Sequence, residues 1–385
     1  MKKISHILVA ATGYPTPTDP AAPFVEQLVH AISLKGIDVT VVAPQSIVKH
    51  WFRHTELHPR HRSYSLEGGA NIEVYQPTVL SFGGRFTKLN DYFLKRAIDK
   101  TARKLKRKPD LCYGHFWHFA YFLYPYAKRE SLPLFVATGE ARITLHQRQT
   151  VKKLATFVEY VKGVICVSTK NREESIADGL LADVGKSVVI PNAIDDGLFK
   201  LMDRQALRKV HGLKDTDFVV AFTGWYDHNK GVTRVSDAIN MLNDSDIKSF
   251  FIGGIREGNG EMPDCEGILH KGRLPHDQIP EFLNMADVFV LPSLMEGCNN
   301  SIIEAMACGL PIIASDRPFN NDVLTKSNSI LVDPLNVAEI ANAIKRIKDD
   351  KVLHQQLSKG ALDTAKLLTI KTRAERILDF IDSKM

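Results

Sequence analysis

The chain has 385 residues, a charged fraction of 24%, an apolar fraction of 44% and a formal net charge of +6. This composition is globular, which excludes disordered, collagen-like and fibrous chains, and the length suffices for two domains with separate cores. Residues 1–200 hold 28 Lys and Arg against 18 Asp and Glu, whereas residues 201–385 hold 22 against 26, which disfavours a uniformly basic nucleic-acid binder.

The sequence contains neither a recognisable membrane span nor an export signal. No stretch approaches the roughly 18 uncharged apolar residues that cross a bilayer. The basic start of the chain is followed by an apolar run, 7–11, that is too short for a signal peptide. The five cysteines are scattered and fit neither a disulfide framework nor a paired metal site. We therefore expect a cytoplasmic protein, with peripheral attachment to the inner face of the membrane left open.

The first half of the chain predicts alternating strands and helices. Its first strand, 4–10, precedes a proline-rich loop, a helix over 24–34 and an unbroken apolar run at 39–43, which is typical of a buried parallel strand. A basic amphipathic helix is predicted over 85–107. Further strands are predicted at 111–113, 134–137 and 163–167.

The same alternation restarts near residue 218. Strands are predicted at 218–223, 248–252, 268–270, 288–291 and 311–314. Helices are predicted at 232–242, at 278–285 and from Ser301 onward. Because alternating strands and helices form parallel sheets covered on both faces, each half is expected to be a doubly wound, Rossmann-like domain.

The expected fold class is therefore α/β, with two Rossmann-like domains and a cleft between them. We place the first domain at 1–190, a linker rich in turn residues at 191–205, the second domain at 206–365, and a C-terminal helix at 366–385 that returns to the first domain. Neither half contains a G-x-G-x-x-G or a G-x-x-x-x-G-K-[ST] segment, which disfavours a nicotinamide dehydrogenase and a P-loop enzyme.

One segment of the second half combines two carboxylates with a helix start. Glu296 follows the predicted strand 288–291, at the end where ligands bind in such sheets. Asn299, Asn300 and Ser301 would present backbone N–H groups at the start of a helix, which is a site for an anion. Ser301 and Glu304 also match a capping box, in which Glu304 accepts a hydrogen bond from the Ser301 N–H, and the two interpretations stay open.

This segment carries a family resemblance. The spacing Glu296-x7-Glu304, continued by the letters AMACGLPIIAS, resembles the signature of retaining GT-B glycosyltransferases of family 4. Residues 189–195, 271–274 and 286–293 resemble further motifs of that family in the same order, so the resemblance covers essentially the whole chain. Within the family, 296–304 is most similar to enzymes of surface-polysaccharide assembly.

The resemblance implies a role for each residue of the donor site. Glu304 would hold the ribose hydroxyls of the donor and Glu296 the hydroxyls of the donor sugar. The amides of Asn299, Asn300 and Ser301 would meet the diphosphate. The backbone at Arg273 and Leu274 would line the nucleobase.

A glycine-rich segment at 224–231 resembles another family motif, with one departure. It keeps Gly224 and Lys230, whose ammonium would neutralise the leaving diphosphate. Trp225 stands where the family usually has an arginine. Arg256 is the candidate replacement for that missing cation.

The first domain departs from the family as well. Where the family usually has a histidine near the donor sugar, this sequence has Glu140. We expect Glu140 to accept the proton of the acceptor hydroxyl or to hold the donor sugar, with a salt bridge to Arg142 as the structural alternative. Tyr14, His115 and Arg142 are assigned to the acceptor side, and His115 also reads as a core residue.

Two candidate metal motifs are judged structural. The histidines at 50, 54, 58 and 61 have helical spacing, but Pro59 interrupts the helix and no further ligand completes a set. Asp244-Ser245-Asp246 resembles an Asp-x-Asp clamp but lies in a predicted turn at the wrong end of the sheet. We expect no metal and no other cofactor.

A membrane partner is suggested by the basic helix at 85–107 and by a loop at 51–64 that mixes cations with aromatic residues. Both features suit anionic lipid headgroups. The structural alternative is an apolar core stripe with a solvated cationic face.

We therefore predict a retaining, metal-independent glycosyltransferase of the hexosyltransferase type that does not bind nucleic acid. It would move a sugar from a nucleotide diphosphate, with UDP favoured, to a glycan or lipid-linked acceptor in surface-polysaccharide assembly. The alternatives are a soluble GT-B enzyme acting on a small acceptor, a nucleotide-sugar epimerase, or a non-catalytic nucleotide-sugar-binding module in which Trp225 and Glu140 mark lost catalysis.

Overall fold

A computed structural model describes residues 4–16, 22–82, 86–255 and 260–385, with the backbone alone described at Arg53. The chain divides into two compact units, one formed by Met1–Ile190 with Ile370–Met385 and the other by Pro191–Thr369. Residues 191–205, predicted as a linker, belong to the second unit, and that unit extends to Thr369.

The first unit contains an eight-stranded sheet in the order β10-β9-β8-β7-β1-β2-β5-β4, and β3 pairs separately with β6. Its strands are β1 (His6–Ala10), β2 (Asp38–Val42), β3 (Gln45–Ser46), β4 (His61–Ser65), β5 (Asn71–Tyr75), β6 (Thr78–Val79), β7 (Leu111–His115), β8 (Leu134–Thr138), β9 (Val161–Cys166) and β10 (Ser187–Val189). Its helices up to β10 are α1 (Pro23–Ser33), α2 (Ile47–Arg53), α3 (Thr87–Ala102), α4 (Trp117–Arg129), α5 (Leu145–Arg148), α6 (Val151–Tyr160) and α7 (Thr169–Ala177). All pairs of the large sheet are parallel except β4 with β5.

The second unit contains a six-stranded, wholly parallel sheet in the order β13-β12-β11-β14-β15-β16. Its strands are β11 (Phe218–Trp225), β12 (Ile247–Gly254), β13 (Ile268–Gly272), β14 (Val288–Leu291), β15 (Ile312–Ser315) and β16 (Ser329–Val332). Its helices are α8 (Arg204–Val210), α9 (Val232–Leu242), α10 (Ile279–Met285), α11 (Asn300–Ala307), α12 (Val337–Asp349) and α13 (Lys351–Ala365). The predicted α/β class with two Rossmann-like sheets is confirmed.

The last helix, α14 (Ile370–Lys384), packs in the first unit. Side chains of β1 alternate between two cores on opposite faces of the sheet, with Ile7 and Val9 on one face and Leu8 on the other. Ile377 of α14 is fully buried in the core that contains Ile7 and Val9. The Arg373 guanidinium donates a hydrogen bond to the Ile190 carbonyl, which ties the two ends of the unit together.

Two predictions about the basic part of the first unit are wrong in detail. The segment 51–64 is not a single loop, because α2 ends and β4 begins within it. β4 is an exposed antiparallel edge strand, and its polar residues gave no apolar run to detect. The basic helix is also shorter than predicted and ends at Ala102, ahead of a run of like charges at helical spacing and of Pro109.

Strand β7 and helix α4 are in close contact at the carboxyl end of the strand. A Cβ added at Gly114 of β7 would lie 2.3 Å from Ala120 of α4, so only glycine allows the helix to start so near the strand end. Phe116, between the two elements, has φ 88°, which is unfavourable for a residue with a side chain. Across the described residues, no helix combines the length and the apolar character that a bilayer crossing needs.

Candidate active site

A cavity of about 370 Å³ opens at the carboxyl edge of the second sheet, where the ends of β11 and β12 and the turn after β13 meet the start of α11. The carboxyl ends of parallel strands share one edge, which is why motifs distant in sequence converge there. Seven of the predicted site residues line it: Gly224, Lys230, Arg273, Leu274, Asn300, Ser301 and Glu304.

The two residues predicted to act on the donor sugar and its phosphates form an ion pair. Lys230 Nζ lies 2.6 Å from Glu296 Oε1, and the two side chains are 16% and 13% exposed. The backbone N–H of Lys230 donates to Asp227 Oδ1 at 2.8 Å, which fixes the lysine loop. Asn229 joins that loop to the segment after β14, since its carbonyl accepts from Leu294 N and its side chain donates to the Met295 carbonyl.

Arg234 also ties these two loops together, and the sequence did not single it out. Its guanidinium is buried and donates to the carbonyls of His228 and Pro292, both at 2.9 Å. Burial lowers its pKa from the usual value. Gly231 has φ 76°, and a Cβ there would lie 2.3 Å from the guanidinium. The available signal was an arginine on the apolar face of α9, which Val235 also occupies.

The start of α11 is capped differently from the predicted capping box. Asn299 is the N-cap, and its Oδ1 accepts from Ser301 N at 3.2 Å and from Ser301 Oγ at 2.8 Å. Ser301 therefore lies two positions inside the helix, and its N–H donates to Asn299 rather than to Glu304. Asn192, from the segment that resembles a family motif, donates to the Cys298 carbonyl and to Asn300 Oδ1.

Glu304 instead faces His276, another residue that the sequence did not single out. Glu304 Oε1 lies 3.3 Å from His276 Nε2 across the wall of the cavity. The hydrogen bond to Glu304 raises the pKa of His276 above its usual value, against the opposing effect of burial. The only sequence signal was its position shortly after Arg273 and Leu274.

Trp225 and Arg273 form a pair at the position where the family usually has an arginine. The Arg273 guanidinium lies 5.0 Å from the centroid of the Trp225 ring and donates to the Ile255 carbonyl. Beside them, Gly253 has φ 150°, and a Cβ there would lie 1.8 Å from the Gly224 carbonyl oxygen. Arg256, the candidate replacement cation, lies outside the described residues, and its role stays a prediction.

In the first unit, Glu140 is held by three hydrogen-bond donors. Its Oε1 accepts from Trp117 N at 3.0 Å, and its Oε2 accepts from Thr138 Oγ1 at 2.7 Å and Gly139 N at 2.9 Å. Burial raises the pKa of Glu140, and these hydrogen bonds oppose that rise. Because Trp117 is the first residue of α4, Glu140 caps this helix beside the strained Phe116.

Arg142 does not hold Glu140 in place. Its side chain is exposed, and within the described part of the chain the two residues form no ion pair. The alternative predicted from the sequence, a salt bridge between Glu140 and Arg142, is therefore wrong. The predicted catalytic role of Glu140 stays a prediction, and its carboxylate already has a structural function.

The two remaining acceptor-side residues are buried in the first unit. His115 packs against the rings of Phe24 and Phe116, and its pKa is lowered to about 3, first by burial and then by Arg373. It is neutral at physiological pH. Tyr14 hydrogen-bonds through its hydroxyl to the Tyr64 hydroxyl at 2.7 Å.

The candidate metal motifs have other partners. His50 hydrogen-bonds to the Thr55 carbonyl. His61 belongs to β4 and stacks on Tyr75 of β5, so the four histidines do not share one helix. Asp244 pairs with Lys348 in the turn between α9 and β12. Over the ranges that the structure describes, no group of three or more His, Cys, Asp or Glu side chains is arranged to hold a metal ion.

Two family descriptions match this chain. Residues 21–198 match "Glycosyltransferase Family 4", and residues 203–364 match "Glycosyl transferases group 1". Together the two matches extend over most of both units.

Curated relatives and solved structures agree with these matches. The chain is 26% identical over 384 residues, 93% of either protein, to TuaC of Bacillus subtilis (strain 168), whose name assigns it provisionally to the glycosyltransferases of teichuronic acid biosynthesis. It is 29% identical over 228 residues, 54% of this chain and 58% of that one, to an Escherichia coli enzyme named UDP-Gal:alpha-D-GlcNAc-diphosphoundecaprenol alpha-1,3-galactosyltransferase. HepE of Anabaena in complex with UDP has the same fold, with a TM-score of 0.73 and 17% identity over 99% of this chain and all of that one.

The contact between His276 and Glu304 predicts a pH-dependent stability. A group whose pKa is raised by folding stabilises the protein fully below its unfolded pKa, about 6.5 for histidine, and loses that effect as pH rises through the folded pKa. We expect the wild type to melt at a higher temperature than His276→Gln at about pH 5.5, and the difference to vanish by about pH 8.5.

Thermal unfolding across this pH range measures the effect. Glu304→Gln provides the control background, because in it the His276→Gln substitution should have no pH-dependent consequence. A difference between wild type and His276→Gln that is constant with pH would show that the contact is not an ion pair.

Proposed function

Because this chain belongs to glycosyltransferase family 4 and has the GT-B fold, we propose that it transfers a hexose, with retention of configuration and without a metal ion, from a UDP-sugar to a lipid-linked or glycan acceptor. The proposed role is the assembly of a cell-surface polysaccharide. The observation that carries the proposal is the Lys230–Glu296 ion pair beside a cavity that Ser301 and Glu304 also line.

The donor would enter with its ribose at Glu304. A carboxylate accepts hydrogen bonds from two neighbouring hydroxyl groups, which matches the two free hydroxyls of a ribose. The cavity volume of about 370 Å³ suits a nucleoside. UDP is favoured because the name of the Escherichia coli relative specifies UDP-Gal as its donor.

The diphosphate would lie between Lys230 and the start of α11. Backbone N–H groups at a helix start carry partial positive charge, and Lys230 adds a full charge on the other side. Diphosphate binding must draw Lys230 away from Glu296, which frees this carboxylate to accept hydrogen bonds from the donor sugar. Cleavage of the bond between sugar and phosphate leaves negative charge on the diphosphate, and both groups stabilise that charge as it develops.

In the proposed complex, positively charged groups of the chain neutralise the leaving diphosphate, a task that a metal ion performs in metal-dependent enzymes. Lys230 and the amides of α11 would supply the compensating charge, with Arg273 held at the cavity wall by Trp225. The proposal of metal-independent transfer rests on this charge balance.

A first test separates the ribose contact from the phosphate contact. Lys230→Met should lower affinity for UDP at least about tenfold and leave uridine affinity unchanged, because a hydrogen bond to a charged group contributes ~1.5–3 kcal/mol. Glu304→Gln should lower the affinities for UDP and uridine alike. Titration calorimetry measures both ligands, with Lys271→Met, an exposed lysine on β13, as the control. Wild-type UDP binding in both test variants would refute the assigned donor site.

A second test concerns the reaction. We expect slow hydrolysis of one UDP-sugar in a panel of UDP, GDP and ADP sugars, with the α-anomer of the sugar formed first and no effect of EDTA. Glu296→Gln should reduce the rate at least about a hundredfold, as loss of a group that stabilises the transition state does. Its UDP affinity should equal or exceed that of the wild type, because Lys230 then has no ion pair to leave. Proton NMR reports both rate and anomer. A β-anomer formed first, or inhibition by EDTA, would contradict retention or metal independence respectively.

The acceptor would be approached at a membrane surface. Trp51 and Phe52 of α2 are 58% and 80% exposed, and Leu89 and Tyr92 of α3 are exposed together with Phe86, the N-cap residue of that helix. α2 and α3 both contact β6, which keeps these side chains on neighbouring elements. Exposed aromatic groups flanked by lysines, among them Lys49, are typical of proteins that bind anionic bilayers.

Vesicle sedimentation tests this attachment. The wild type should sediment with vesicles that contain phosphatidylglycerol and less with phosphatidylcholine alone, and binding should weaken in high salt. Trp51→Ser with Phe52→Ser should abolish most of the binding. Val210→Ser, which removes a side chain that is 80% exposed in the second unit, is the control. Equal sedimentation of the double variant and the wild type would exclude α2 as the attachment element.

A further inference from the structure

A second cavity, of about 360 Å³, lies in the first unit between α3, α4 and the segment that joins α5 to α6. Its wall contains four cationic side chains and two tyrosines: Lys88, Lys95, Arg148, Lys153, Tyr92 and Tyr121. None of these residues belongs to the proposed donor site, and only Tyr92 was placed above, among the exposed side chains of α3.

The cavity has an excess of positive charge. Asp91 is the one carboxylate among its lining residues, and it pairs with Arg148 at 3.3 Å. In the part of the chain that the structure describes, Lys88, Lys95 and Lys153 form no ion pair. The Lys95 ammonium lies 4.5 Å from the centroid of the Tyr121 ring. Burial lowers the pKa of Lys95, and Lys153 lowers it further. Cations gathered in this way favour a bound anion.

A buried carboxylate oxygen in the same wall, which can accept a hydrogen bond, limits the kinds of ligand that fit the cavity. Asp91 is only 7% exposed, and its Oδ2 has no hydrogen-bond partner. An unpartnered buried carboxylate oxygen needs a donor, and inorganic phosphate at neutral pH offers few. A ligand with both phosphate oxygens and a hydroxyl group satisfies the lysines and Asp91 together, as a sugar phosphate or sugar diphosphate does.

The apolar side of α3 continues from the mouth of this cavity. Tyr92 lines the cavity and is itself exposed, and the exposed Leu89 precedes it by three residues on the same face of α3. Phe86, the N-cap residue of this helix, is exposed three positions earlier. A ligand with a phosphate at one end and a hydrocarbon chain at the other would contact both regions.

We propose that this cavity binds the phosphate-bearing head of a lipid-linked sugar, with the lipid chain along Phe86, Leu89 and Tyr92. The inference rests on the proposed function, because it assigns the acceptor to a site on the first unit. It identifies the acceptor as a lipid phosphate or diphosphate and separates its phosphate contacts from those of the donor.

Direct binding of farnesyl diphosphate to the full chain tests the inference, with saturating UDP present so that the donor diphosphate site is filled. Lys95→Met with Lys153→Met should weaken binding at least tenfold. The control, Lys100→Met with Lys152→Met, removes the same charge from exposed positions outside the cavity and should stay within about twofold of the wild type. UDP affinity should be the same in all three proteins, and thermal unfolding verifies that the variants fold.

Two further ligands distinguish the sources of the phosphate. Inorganic pyrophosphate should bind more weakly than farnesyl diphosphate, and farnesol should show no dependence on Lys95 and Lys153. Pyrophosphate that binds as tightly as farnesyl diphosphate would assign the cavity to a free phosphate compound and overturn the lipid part of the inference. No farnesyl diphosphate binding, or equal binding by test and control variants, would overturn all of it. If only the donor proposal is wrong, the wild type will not bind UDP but will still bind farnesyl diphosphate.

Discussion

The ion pair between Lys230 and Glu296 is the contact on which the proposed donor site depends. Both side chains are largely buried, and removing two charges from water costs free energy that a single close contact offsets only in part. A pair of this kind is therefore a weak source of stability. Lys230 and Glu296 lie in the loops that follow β11 and β14. The proposed function explains this position better than stability does. The pair holds a cation and a carboxylate at one point and keeps both neutralised until an anion binds.

The residues around the Lys230–Glu296 pair also hold its two loops in fixed positions. Arg234 and Asn229 join the lysine loop to the segment that carries Glu296 through contacts with main-chain atoms, so the two charged residues depend little on the conformations of exposed side chains. At the start of α11, Asn299 provides the cap, and Glu304 is left free to face the cavity. Groups positioned before the ligand binds need little reorganisation during reaction. In the proposed donor complex, the main change is the separation of Lys230 from Glu296.

The sequence predicted the elements that depend on local pattern and missed contacts between distant residues. β14 and the first five residues of β11 are apolar because both faces of the sheet are covered there, and the motifs that follow these runs were therefore placed correctly at the strand ends. His276 reaches Glu304 over 28 positions, and Asn192 reaches Asn300 over 108, and no periodicity reports such contacts. The capping box failed for a related reason, because Ser301 matched the pattern while Asn299, two residues earlier, took the position. Glu140 was chosen because it stands where the family usually has a histidine, and its hydrogen bond to Trp117 depends on the packing of α4.

The unequal charge of the two halves has a local counterpart in their cavities. At the proposed donor cavity of the second unit, Lys230 faces Glu296 and Glu304 meets His276, while Arg273 is stacked on the neutral Trp225 ring. In our proposal, a diphosphate must displace Glu296 from Lys230 to bind there, which would make the site selective for groups that replace this partner well. The cavity of the first unit holds four cations and one carboxylate and is not balanced internally. Its positive charge attracts anions over a distance that salt limits to about 10 Å, so it acts on ligands already near the surface. A part of the basic excess of the first half thus lies where, in our proposal, a phosphate would complete the cavity, whereas Lys230 and Glu304 of the second half already have partners.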